Sequence, residues 1–166
     1  MGQIISKGEL ILTEWAKKSP RQLASIWFAV FRLFWAIYWF GFAIPGKSIF
    51  IFSLASGLLP IILSVVAARI VGYFLGSSIL DSNRTKSYWI AAFKGILIQH
   101  LTTIIYLPVA IFLTCLFTND FTHFFGLLFL SFIFSLAGIP IHTLLGAITG
   151  LLLYHLVTRK IQATNQ

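Results

Sequence analysis

The sequence predicts an all-α, polytopic integral membrane protein: four transmembrane helices forming two same-orientation hairpin repeats, preceded by an amphipathic interfacial helix. Three observations predict it. Apolar stretches run over residues 23–44, 48–80, 88–117 and 121–157, each long enough to cross roughly 30 Å of hydrocarbon at ~1.5 Å per residue. The chain is 58% hydrophobic and 10% charged, proportions that would coat a soluble domain with apolar patches. Every Lys and Arg except Lys47 falls on one side of the resulting topology, and basic loops resist translocation. Both termini are therefore expected on the cytoplasmic side of the cell (inner or plasma) membrane.

Residues 1–20 form the amphipathic segment. Over 3–18, Ile4, Ile5, Ile11, Leu12 and Trp15 share one helical face, and Lys7, Glu9, Glu14, Lys17 and Lys18 share the other. Such a helix lies in the membrane interface or docks on protein. No cleavable signal peptide is expected, because the first apolar run starts after residue 20 and lacks a small-residue cleavage site. The opening Met1-Gly2-Gln3-Ile4-Ile5-Ser6 fits the myristoylation pattern at Gly2, a pattern short enough to arise by chance. Ser19, Pro20 and Gln22 then supply a cap, a first-turn proline and a capping-box partner for the next helix.

The two hairpins occupy 21–82 and 83–160, followed by a polar tail over 161–166. Their division follows an internal repeat: Ser25-Ile26-Trp27-Phe28-Ala29-Val30-Phe31-Arg32 recurs as Ser87-Tyr88-Trp89-Ile90-Ala91-Ala92-Phe93-Lys94. Pro45 roughly matches Pro108, and Phe52-Ser53-Leu54-Ala55 returns as Phe134-Ser135-Leu136-Ala137, each followed by a proline, Pro60 or Pro140. Both copies begin on the basic side, which makes this a parallel repeat rather than the inverted kind found in many transporters. Turns at 45–47 and 118–120 face outward, and the polar 81–86 connection faces inward. Single cysteines at Lys47 and Asn83, in a Cys115→Ser background, should label from opposite sides with an impermeant thiol reagent. Labelling from one side only would exclude the four-span topology.

Small residues predict the packing. Ser64, Ala68, Gly72 and Gly76 recur every four positions on the second span, as do Gly138, His142, Gly146 and Gly150 on the fourth. Each stripe contains GxxxG, which lets backbones approach closely. The first and third spans carry Trp27, Phe31, Trp35, Trp39, Trp89 and Phe93 instead. The expectation is an inner seam between the second and fourth spans, flanked by the other two.

Polar residues inside the spans are the candidates for function. Arg32 lies nine positions past Leu23 and either snorkels along Phe28 and Trp35 to phosphates or faces the bundle, where it would hold an anion or a partner carboxylate. Snorkelling is the favoured expectation. Lys94, its repeat partner, and Arg69 are further candidates for anion, partner or lipid contact. His100 and His142 reach similar depth on antiparallel spans, a spacing compatible with a metal or haem. Gln99, Thr102, Thr103 and Thr143 would equally satisfy them by hydrogen bonds, and this structural role is the favoured one. Cys115 has no partner for a disulfide.

Glu9, Glu14, Asp81 and Asp120 are the chain's acids, and all fall outside the spans. No paired carboxylates, Walker loop, HExxH or GxSxG pattern is present. The net charge of +8 comes from residues flanking hydrophobic spans, which suits anionic lipid rather than nucleic acid. The reading that follows is a non-enzyme without a cofactor: an accessory, assembly or immunity-type component of a membrane complex. Its partners would be membrane lipids and either a membrane protein or further copies of itself. A small oligomeric transporter or channel for an anion or small solute is the alternative, and a haem-binding redox protein the third.

Overall fold

The structure, a computed structural model, describes residues 7–41, 58–81, 85–119 and 121–158. All regular elements in these residues are helical. They are α1 (Lys7–Lys18), α2 (Pro20–Gly41), α3 (Leu59–Val71), a wider π-helical turn (Gly72–Gly76) running into α4 (Ser77–Leu80), α5 (Tyr88–Thr118), α6 (Phe124–Ala137), α7 (Ile139–Leu153) and a closing π-helical turn (Tyr154–Thr158). Three stretches, Leu59–Leu80, Tyr88–Phe117 and Ile139–Leu156, are long and apolar enough to cross a membrane. By length and composition they mark an integral membrane protein. α2 has 22 residues and packs along α3 and the π-turn that follows it. The Pro45–Gly46–Lys47 turn and the first Phe-Ser-Leu-Ala copy lie outside the described residues.

α5 is bounded by two local signals. Ser87 is its N-cap and accepts a hydrogen bond from the Ile90 amide at 3.4 Å. Asn119, in the left-handed region at φ 52°, closes it with its amide turned back to the Cys115 and Leu116 carbonyls, a conformation that asparagine tolerates better than most residues. Ser25, the repeat counterpart of Ser87, sits instead inside α2 and donates to the Arg69 carbonyl at 2.9 Å. The two copies of the motif therefore occupy different stations: one opens a helix and the other pins α2 to α3.

The fourth apolar stretch, expected as one helix over 121–157, is two. α6 ends at Ala137, Gly138 forms a turn, and Pro140 stands in the first turn of α7. Proline has no amide hydrogen for the carbonyl one turn earlier, and its ring crowds that carbonyl. The interruption belongs to Pro140 rather than to any loss of hydrophobicity.

The glycine stripes do not meet each other. A Cβ on Gly72 would lie 3.1 Å from the Ala24 carbonyl oxygen and 3.2 Å from Phe28 Cβ; one on Gly76 would lie 2.8 Å from Ala24 Cβ. Gly146 faces Ile96 Cα and the Gly95 carbonyl, at 2.7 and 2.8 Å on the same measure, while Gly150 abuts the Ala91 carbonyl. The first stripe thus packs on α2 and the second on α5, which corrects the expected seam between the second and fourth spans. Close approach needs small residues on both sides. Ala24 supplies one on α2, with Phe28 packed beside it, and Ala91 and Gly95 supply them on α5. α5 against α7 is the tighter of the two pairs, because there backbone meets backbone.

One core gathers at the end of the bundle where α1, α4 and α7 converge. Ala16, Leu23, Ala24, Phe28, Val71, Ile79, Ala91, Ile98, Leu153 and Tyr154 are buried together, with Trp15 and Trp27 against them. α1 docks on its own bundle through Trp15 and Ala16, whereas Ile11, expected on its apolar face, is 57% exposed. Trp27 ties the first helix pair to the second by donating its indole N–H to the Thr149 carbonyl at 3.1 Å.

Candidate functional site

Arg32 is held by helical phase. Ser25, Ala29, Arg32 and Ala36 are all buried, at the i, i+4, i+7, i+11 spacing of one helix face. The arginine therefore points into the bundle and is 3% exposed. Its Nη2 donates to Thr103 Oγ1 at 3.5 Å, a long contact, and its Cζ lies 4.9 Å from the centroid of the Tyr106 ring. That distance is within cation–π range. Thr103 passes its own hydroxyl hydrogen to the Gln99 carbonyl at 3.1 Å. Along α5, Gln99, Thr103 and Tyr106 recur at i, i+4 and i+7 and form a polar stripe on one face.

This arrangement corrects the snorkelling expectation. Arg32 is about 18 Å along α2 from Pro20 and about 14 Å from Gly41 at ~1.5 Å per residue. Its partners lie roughly 22 and 27 Å along α5 from Tyr88. The guanidinium thus turns away from the end where the basic residues gather. The stem lies among helices because the buried face of α2 dictates its direction.

Two of its nitrogens are left without a partner. Nε and Nη1 are buried and make no hydrogen bond among the described residues, and the same holds for His142 Nδ1. Nε carries one N–H and Nη1 carries two, so about three of the five guanidinium donors have no acceptor. His142 reaches the same region from α7, within electrostatic range of both Arg32 and His100. Its ring stands edge-on to Trp35 at 6.2 Å between centroids and to His100 at 6.4 Å.

The sequence pairing of His100 with His142 is therefore a real proximity. His100 Nε2 shares a 3.1 Å hydrogen bond with Thr143 Oγ1, one of the four side chains expected to satisfy the histidines. No group of three or more His, Cys, Asp or Glu able to hold a metal occurs among the described residues. A porphyrin between the two rings would also have to part α5 from α7. Gly95 and Gly146, about one to one and a half turns away, hold those backbones in contact.

Lys94 and Arg69 do not join Arg32. The Lys94 ammonium donates to the Ser78 carbonyl at 2.8 Å and to Thr85 Oγ1 at 2.6 Å. Thr85, fully buried, also donates to the Ser78 carbonyl at 2.7 Å, and its amide bonds the Asp81 carbonyl at 2.9 Å. Lys94 thus fastens the connection between α4 and α5. Arg69 is exposed on α3. His155, in the closing π-turn, shares a 3.3 Å hydrogen bond with the Tyr88 hydroxyl, and His123 is exposed.

Tyr106 and Gly95 are the residues that sequence reasoning passed over. The i, i+4, i+7 polar stripe ending at Tyr106 was a usable signal. Gly95 closes a small-residue repeat of its own, Ser87, Ala91 and Gly95 at every fourth position, which was a second usable signal. No protein-family model matches the chain, and no curated protein or solved structure matches it.

Proposed function

We propose that the chain is a non-catalytic multi-pass membrane protein that works as an accessory or assembly component of a larger membrane complex. Its basic face meets anionic lipid or an acidic partner on the cytoplasmic side. The observation that carries this reading is α6. This helix has 14 residues, short for crossing a bilayer, yet it shows apolar side chains on nearly every side. Phe125, Phe129 and Phe132 are 80%, 65% and 59% exposed, and a side chain at Gly126 would meet nothing within 4 Å. The chain closes its own helices tightly through glycine at one end and leaves this helix uncovered at the other. A partner helix would complete that layer.

A photo-crosslinking amino acid at Phe129, introduced in the native host membrane, should give a discrete adduct of higher mass. The same group at Phe34, exposed on α2, should give a diffuse lipid pattern. Lipid adducts alone at both positions would remove the reading.

A further inference from the structure

Arg32 is a buried cation with no carboxylate beside it among the described residues. Glu9 and Glu14 belong to α1, Asp81 follows α4 and Asp120 follows α5. None lies within α2, α3, α5, α6 or α7. A guanidinium taken out of water needs a negative partner and acceptors for its hydrogens. Arg32 has instead a hydroxyl at long range, an aromatic face, and buried Nε and Nη1 atoms without acceptors. Across from it, on another helix, His142 Nδ1 is equally unmatched.

We propose that Arg32, Thr103, Tyr106 and His142 enclose an intramembrane binding site for a small monovalent anion of halide or formate size. Nε and Nη1 of Arg32 would donate to the anion. His142 adds a third donor when its proton sits on Nδ1, and Tyr106 holds the guanidinium plane from behind. Size follows from enclosure. Arg32 is 3% exposed, so a lipid phosphate or a partner's carboxylate, each tethered to a larger body, has no open approach. On the α5–α7 side, the contact of Gly95 with the Gly146 carbonyl closes the way further. An untethered ion of a few atoms needs no such opening.

The test uses the full chain in a maltoside detergent, which carries no phosphate, equilibrated in sodium gluconate and titrated with sodium bromide at constant ionic strength. Binding to the folded state raises the thermal midpoint saturably. A saturable rise, displaced by neither gluconate nor added salt in general and matched by formate, is expected for the wild type. Lys94→Gln and Arg69→Gln should keep it, and Arg32→Gln should weaken apparent affinity at least tenfold. A rise that persists undiminished in Arg32→Gln, or one that appears only when anionic lipid is added, overturns the site. Should Arg32→Gln not fold, bromide anomalous scattering from wild-type crystals decides instead. A peak beside Arg32 and His142 supports the proposal, and bromide found only elsewhere refutes it.

Discussion

Gly146→Leu is expected to abolish most of the folded protein, whereas the same change at Gly126 should be harmless. At Gly146 a Cβ alone would come within 2.7 Å of Ile96 Cα and 2.8 Å of the Gly95 carbonyl oxygen. Both are backbone atoms, so no rotamer change relieves the clash and α5 must move away from α7. Overpacking a tight interior costs about 1–3 kcal/mol where side chains can adjust; here the loss should reach at least the top of that range. At Gly126 nothing lies within 4 Å, and leucine is the better helix former by up to about 1 kcal/mol. Gly72→Leu should fall between them, since its closest neighbours stand at 3.1–3.3 Å and include the Phe28 side chain. Monodisperse yield and thermal midpoint in detergent measure all three. Equal loss at Gly126 and Gly146 would show that the stripe makes no close contact.

Arg32→Leu should stabilise the protein in anion-free detergent, and Arg32→Lys should destabilise it. Insertion scales charge about 2.5–3.5 kcal/mol for arginine at a helix centre and favour leucine by about 0.3–0.6 kcal/mol. Exchanging a buried charge for an apolar group of similar volume commonly gains about 1–4 kcal/mol. Lysine retains the charge but loses the planar stack and the reach of Nη2 to Thr103. Thermal midpoints in gluconate buffer give the order directly. A destabilised leucine variant beside an unaffected lysine variant would mean that the guanidinium lives in water, contrary to its burial.

How much of this was legible in the residues depends on whether one helix was enough to read it. The long apolar runs and the depth match of His100 with His142 follow from periodicity and counting along single segments. What the glycines face does not, because a GxxxG stripe fixes the closeness of an approach and leaves the neighbour's identity open. Arg32 went the same way. Its depth was clear from Leu23, but the direction of its side chain depends on the phase shared with Ser25, Ala29 and Ala36. Its company on α5, Thr103, is 71 residues away in sequence. The split at Gly138 was readable in principle from Pro140, whose missing amide hydrogen outweighs the continuous hydrophobicity around it. The docking of α1 was half readable: Trp15 stood on the apolar face and Ala16 borders it one turn after Leu12, but hydrophobicity alone does not choose between lipid and protein as the neighbour.

The bond from Trp27 to the Thr149 carbonyl also sets a timetable. Its two ends are 122 residues apart in the chain, and ribosomes add roughly 5–20 residues each second. For something like 6 to 25 seconds at that rate the newly made α2 has no Thr149 carbonyl to bond. Early in biogenesis, therefore, the first helix pair is an unfinished object. Until α7 is made, that pair stands without this tie to the second.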